Sequence, residues 1–485
     1  MTTLAAMTPV GGTLALNGLL VAVIILIHIQ FSAFLIGSST LAIISETLSL
    51  SRRNFDERHD RLSHGLVKTS VYVFAFGSAL AIFFMIFVLG GVWGRFFVQL
   101  QQIAFWVFFV EAITFLFEIV VLYTLYSNWQ RLAGHRRARI GLLVLLNIDQ
   151  WWQMYFIDVV ASYMLTPNGG EVNPLNLFIN PTQLPLTLHR TVGNIALAGA
   201  FVAFAAGVQY LRATRRLERA ERTVPSAVAA VAPSVGAMAV TASGTEPQEA
   251  RDARYWDWAG QWGAAFAVGF TLMQPWIGYS YAKEIQLHAY PAWFNMMFGD
   301  LSNVFLVQIT MLGAIFTLGA AYFWRRMKVS GAPHARRQGI TVVLLGIVTA
   351  FAALPSWFAG SYSDVVAAHL DKPFWQGGLL NPFGNFIPYK VGALFAMVFL
   401  GLFSLTVYMR AISRDELPAG RIGRRSQGLL LALGVVVSLM MIVMGVIREH
   451  ARQPYLISGE LTIRNQQIIN HQPSPVGGTS GVQGR

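Results

Sequence analysis

Apolar runs long enough to cross a lipid bilayer recur from one end of this chain to the other, and they leave few folds open. About 18 such residues span the hydrocarbon core as a helix, and only helices or closed barrels satisfy every backbone hydrogen bond there. The runs are continuous rather than alternating, which selects helices. Ten spans are read at about residues 14–46, 66–92, 103–127, 139–164, 185–211, 257–281, 302–324, 339–360, 388–410 and 427–448. Only 12% of the chain is charged, about half the usual share of a soluble protein. The predicted fold class is all-α, a polytopic membrane helix bundle of about ten transmembrane helices.

The short connections divide cleanly. Those after spans 1, 3, 5, 7 and 9 hold clusters such as Arg52, Arg53, Arg58 and Arg61, or Arg131, Arg136, Arg137 and Arg139. The opposite set holds only Arg95, Lys283, Lys372 and Lys390. Cytoplasmic loops carry the excess of Lys and Arg, so the odd-numbered connections are read as cytoplasmic and both termini as outer, or periplasmic. The net charge of +12 therefore reflects topology, and nucleic acid is not an expected partner. With no cysteine in the chain, disulfides, Cys-held iron–sulfur clusters and covalent CxxCH heme attachment are excluded. The N-terminus lacks the basic start of a signal peptide. Four regions are expected: a bundle over 1–212, a flexible cytoplasmic linker over 213–256, a second bundle over 257–455, and a largely disordered outer tail over 456–485. Within the third, 361–387 is rich in Gly, Pro and aromatics and reads as an outer lid. The expected location is a bacterial inner membrane, with the lipid bilayer as solvent.

Ionisable groups inside spans are costly and mark function more often than packing. His28 lies mid-span in VAVIILIHIQFSAFLIG, and His189 lies about one turn inside span 5. Glu111 and Glu118 share a face of span 3, since seven residues fall about 20° short of two turns. A single histidine in a span often makes only an interhelical hydrogen bond, whereas a carboxylate pair on one face favours a proton path or an ion site. The aromatics Phe105, Trp106, Phe108 and Phe109 read as packing or interface belt. Arg448-Glu449-His450-Ala451-Arg452-Gln453-Pro454-Tyr455 closes the last span with charges and a proline at the water boundary. Imidazoles and carboxylates that favour the outer half of a bundle suit ligation of porphyrin iron.

The segment Glu449-x-Ala451-Arg452-Gln453-Pro454-Tyr455 resembles the E-x-G-R-Q-P-W signature of subunit I of cytochrome bd-type oxygen reductases, the bd quinol oxidases. The likeness extends to His28 with a following Ser-Glu46-Thr, to Glu118 eleven residues before Trp129, and to FINPTQLPLTLHRTVGN around His189. The resemblance implies three hemes near the outer face: a low-spin heme b, a high-spin heme b and a heme d that binds oxygen. It makes His189 a ligand of the low-spin heme, and His28 and Glu449 ligands of the two high-spin irons. It gives Arg452 and Gln453 propionate or bracing roles, Lys390 the place of a family arginine, and Glu111 and Glu118 the delivery of protons from the cytoplasm. It also implies a second membrane subunit, oxygen as acceptor, and an outer-side donor, quinol or cytochrome c.

The departures are specific. The family's methionine ligand to the low-spin heme falls on Gly392, and Met397 lies five residues on, turned roughly 140° away. The quinol-loop Lys and Glu fall on His288 and Trp293, spans 7 and 8 replace a long outer loop, and the last family helix is absent. The expected activity is that of a heme-bearing subunit of a bd-type terminal oxidase, an oxidoreductase whose quinol donor stays open. Two alternatives stand beside it: a paralogous membrane cytochrome b that carries electrons or anchors the complex without reducing oxygen, and a proton- or ion-coupled transporter using Glu111 and Glu118.

Overall fold

The computed structural model describes residues 12–51, 55–167, 177–223, 247–358, 376, 386–420 and 423–462. Each of the ten apolar segments coincides with a helix over most of its length, with 84–89 and 388–392 in π-helical turns and 359–360 outside the described residues. In order these are α1 (Gly12–Ser51), α2 (Glu57–Phe83), α3 (Gly94–Ser127), α4 (Arg136–Leu165), α5 (Gln183–Thr223) and α6 (Gln248–His288). A short α7 (Tyr290–Met297) precedes α8 (Ser302–Ser330), α9 (Ala335–Phe358), α10 (Ala393–Ser413) and α11 (Arg424–Ala451). The chain is an all-α, multi-pass membrane bundle. Among the described residues eight helices have the length and hydropathy to cross a bilayer, and α4 and α6, of 30 and 41 residues, pack beside them.

Small residues set the closest approaches. A Cβ on Gly199 would lie 2.7 Å from the backbone of Ala267, and one on Gly263 would lie 2.6 Å from that of Ala203. This brings α5 and α6 together at backbone distance, the usual device where lipid offers no hydrophobic drive. The arginine-rich connections gather at one end of the bundle, cross-linked by Arg61–Asp252 and Arg424–Glu218.

Arg139, counted above with the loop charges, is instead interior, and so is Arg326 at the inner end of span 7. Arg139 of α4 is 1% exposed and pairs with Glu46 and Asp60; Arg326 of α8 is fully buried on Asp257. Each stands on a helix whose apolar run begins or ends beside it, so composition alone files it with the loop.

The regional boundaries shift as well. Helix covers much of 213–256, through Thr223 and again from Gln248, while 224–246 lies outside the described residues. The tail starts ordered: β1 (Tyr455–Ile457) and β2 (Leu461–Thr462) form an antiparallel hairpin. Its Leu456, Ile457 and Leu461 are buried among residues of α1, α3 and α4, which explains why a short polar tail stays in place. Residues 463–485 lie outside the described residues, as does the expected lid except Gln376, Phe386 and Ile387.

Candidate heme site at the end of the bundle away from the arginines

Helix register brings the proposed ligands to one level. The helices α5 and α11 touch where a Cβ on Gly207 would meet Leu431, and again where one on Gly434 would meet Phe204. His189 lies eighteen residues back from Gly207, and Glu449 lies eighteen on from Leu431. The second contact gives the same pairing at fifteen residues. Both side chains therefore stand about 27 Å along the pair from the first contact, near its far end.

His189 faces α6. A Cβ on Gly278 would lie 3.2 Å from its Cε1, so glycine leaves the ring its place. Tyr281 stacks on the ring at 6.4 Å between centroids, and Gln274 donates from Nε2 to the His189 carbonyl at 2.9 Å. The proline after Gln274 sits inside α6. Nδ1 of His189 is buried without a hydrogen-bond partner, and so is Nδ1 of His28.

An ion pair that the sequence did not reveal stands at the centre. Arg190, next to His189, donates from Nη1 to the buried carboxylate of Asp158 on α4, and Thr187 Oγ1 donates to the other Asp158 oxygen at 2.9 Å. Arg190 is also within electrostatic range of His28 on α1 and Glu111 on α3, and Arg448 is within range of Asp158 and Tyr281. Arg190 thus pairs α5 with α4 and lies within electrostatic range of groups on α1 and α3. Thirty-two residues separate Asp158 from Arg190, and no sequence signal joins them.

The knot closes on itself in part. Arg452 donates from Nη2 to Glu449, while its Nε and Nη1, and Nε of Arg448, are buried without partners. A cavity of about 700 Å³ opens beside it, lined by Arg452, Gln453 and Tyr455 together with Thr166, His288 and Asn295. His288 lines this space, whereas Trp293 packs with Leu165 and Ile285.

The carboxylates of α3 part company. Glu118 is buried and accepts from Gln150 Nε2 at 2.7 Å and Gln153 Nε2 at 3.0 Å, both on α4. Glu111 is half-buried two turns away on the Arg190 side, with no side-chain hydrogen bond among the described residues.

Lys390, read as a site residue, and Met397, read as turned away, both make their contacts toward α7 and α8. The Lys390 amine donates to the Met297 carbonyl at 2.5 Å and to Ser302 Oγ at 2.8 Å, between the rings of Phe305 and Phe386. Met397 is fully buried toward α8, where a Cβ on Gly313 would lie 2.6 Å from its Cε.

The sequence model of the family described as cytochrome bd terminal oxidase subunit I matches residues 16–272, just over half of the chain. The chain belongs to this cytochrome bd subunit I family. The match runs from α1 into α6 and includes His28, Glu111, Glu118 and His189; α8 to α11 lie beyond it. Among solved structures the chain is similar to the bd oxidase from Geobacillus thermodenitrificans, at 15% identity over 90% of this chain and 98% of that one, with a TM-score of 0.47. No curated protein matches.

The donor set can be tested against the heme that a bd family member implies. Among the described residues no three His, Asp or Glu side chains converge on one point, so a bare ion has no cage. Porphyrin brings four nitrogen ligands of its own and needs only one or two from protein. Imidazoles with unfilled Nδ1 atoms, a carboxylate at their level and unpaired guanidinium N–H groups fit that need. A methionine opposite His189 does not fit. Gly392 has no side chain, with no atom within 4 Å of where its Cβ would stand, and Met397 is committed to α8.

Proposed function

We propose that the chain is the heme-bearing subunit of a bd-type membrane oxidase, passing electrons from an outer-side donor to oxygen with protons drawn from the cytoplasm. The observation that carries this reading is the convergence of His189, Glu449 and the Arg190–Asp158 pair at one end of a bundle whose first half matches the family. His28, His189 and Glu449 would hold heme iron, heme b with heme d a candidate at the oxygen site. The unpaired Arg448 and Arg452 N–H groups would meet propionates. When bound, the hemes supply electron transfer and oxygen activation.

The protein's own residues do the rest. Asp158 holds Arg190 in place, and Arg190 balances negative charge at Glu111. The Gln150 and Gln153 amides fix the Glu118 carboxylate, which takes protons arriving from the arginine-rich end. Arg452 restrains Glu449, and Tyr281 and Gly278 set the plane of the His189 ring. The arginine bias supports a reading with that end in the cytoplasm and both termini outside, in a bacterial inner membrane. A second membrane subunit would cover apolar surface such as Phe105, Trp106 and Phe109 on α3, each about half exposed or more.

A second reading, an electron-carrying or anchoring relative without oxygen reduction, is favoured by one observation. Gly392 and the turned-away Met397 remove the family's His–Met pair, so electron entry, from quinol or cytochrome c, has been rebuilt or lost. Heme per chain decides between the two. A pyridine-hemochrome assay on the purified complex should return more than one heme per chain and oxygen consumption with an outer donor. A single heme, or none, removes the oxidase reading.

A further inference from the structure

Fully buried polar side chains also meet at the arginine-rich end, among α6, α8, α10 and α11 and away from the candidate heme site. They are Asp257, Tyr322, Arg326, Tyr408 and Gln427. Asp257 accepts from Arg326 Nη1 at 2.9 Å on one oxygen and from the Gly420 backbone N–H at 2.6 Å on the other. The Tyr322 hydroxyl lies 3.5 Å from the same Nη1. The Tyr408 ring stacks at 4.0 Å on Phe323, three residues before Arg326 on α8. Gln427 is placed by register. The helices α6 and α11 both start at this end, and a Cβ on Gly260 would lie 2.7 Å from Leu430 Cδ1 and 4.0 Å from the Tyr322 hydroxyl. Asp257 and Gln427 each stand three residues before that contact, so they share its inner side at one level.

Several polar atoms here have no protein partner. Arg326 Nε and Nη2, the Tyr408 hydroxyl and both Nε2 and Oε1 of Gln427 are buried without a hydrogen bond. Buried polar groups are paired as a rule, with protein or with ordered water, because an orphan keeps its whole desolvation cost. A dry set of orphans is the plain alternative, and so is a bare anion on the Arg326 fork, whose Nε and Nη2 N–H bonds lie parallel. Charge argues against the anion, since Arg326 and Asp257 already cancel and a further negative charge would be buried unbalanced. The mixture of free groups argues the same way. Donors are left over on Arg326, Tyr408 and Gln427, an acceptor is left over on Gln427, and only a molecule that both donates and accepts serves all of them.

We propose that Arg326, Tyr408 and Gln427 enclose a binding site for ordered water. About two molecules, at roughly three hydrogen bonds each, would complete the free groups. One edge of Arg326 holds Asp257 and the other holds water, so a single side chain ties α6 directly and α10 and α11 through solvent. The α10–α11 connection closes the site on the loop side. There Gly420, at φ 91°, turns its N–H onto Asp257, and a Cβ on it would lie 2.7 Å from Arg254 Cγ. The water stands in for side-chain contacts and sets the spacing of α8, α10 and α11, which lie beyond the stretch that matches the family. No proposed heme ligand takes part, so the site stands whether or not the chain reduces oxygen.

The test uses the full complex in membranes or nanodiscs, with heme content as the check that each variant has folded. Tyr408→Phe keeps the ring on Phe323 and removes only the hydroxyl. If water fills the site, that hydroxyl is paired, and its loss should lower the thermal midpoint by about 1–2 °C, the scale of one net hydrogen bond in a chain of this length. If the site is dry, the same change removes an orphan and should raise the midpoint. Gln427→Met, of similar shape, should act in the same sense as Tyr408→Phe. A midpoint unchanged or raised in either variant overturns the site. A wild-type midpoint that climbs with chloride or sulfate, and stops climbing in Tyr408→Phe, overturns it in favour of an anion. A density map of the wild type that resolves water should show peaks about 2.7–3.2 Å from Arg326 Nε or Nη2, the Tyr408 hydroxyl and the Gln427 amide. Direct bonds among those side chains, with no peak between them, would contradict it.

Discussion

The ends of α5 and α10 away from the arginines make a useful pair, because the family resemblance gives both a ligand to the same low-spin heme. On α5 the histidine is in place, and its surroundings are arranged for it: glycine beneath the ring, tyrosine on its face, an amide on its carbonyl. At the start of α10, Lys390 just before it and Met397 within it contact α7 and α8 instead. Lys390 caps the turn between those helices and Met397 fills space against Gly313. The helices α8 and α10 lie beyond the stretch that matches the family, and Lys390 and Met397 make their contacts there. On the ligand roles proposed above, packing accounts for the α10 side while the α5 side keeps room for its ring.

The largest effect expected from this contrast is on heme content. Glu449→Ala should remove a high-spin heme and leave the bundle folded, since Glu449 is partly exposed at the helix end. The matched change on α10, Lys390→Met, should leave heme content intact. Full heme in Glu449→Ala, or heme loss in Lys390→Met, would break the comparison. Next in size, Glu118→Gln should slow oxygen turnover by about 10²-fold, the low end for removing a positioned proton-transfer group. Its heme spectrum should not change, because no iron ligand is removed and the Gln amide oxygen can still accept from one of Gln150 and Gln153.

Smaller effects sharpen the account. Lys390→Met removes donors from the Met297 carbonyl and Ser302, and should cost about 1–3 kcal/mol in thermal or denaturant unfolding. Met397→Leu is nearly volume-conserving and should cost less than about 1.5 kcal/mol. It should also leave every heme band where it was; a shifted low-spin band would show that Met397 reaches iron after all.

The helices were legible because apolar length and the alternation of arginines are carried by each segment alone. The level of His189 and Glu449 was legible too, because both sit near the ends of spans that run in opposite directions. The ion pairs were not. Asp158 and Arg190 are each visible as charges, but the pairing depends on α4 and α5 meeting at one register, set by contacts such as Asn194 with Met154. Arg139 and Arg326 show the same limit from the other side, since a charge beside an apolar run can face water or a buried carboxylate.

The central claim is that the His189 side of the electron-entry site persists without its methionine partner. It is tested most directly by a reduced-minus-oxidised visible spectrum of the purified complex, recorded for wild type and His189→Ala and paired with a quinol oxidation assay. The account predicts heme bands without a low-spin His–Met signature in either protein, and weak or no oxidation of added quinol. A low-spin His–Met signature that His189→Ala abolishes, together with ordinary quinol oxidase activity, would contradict it.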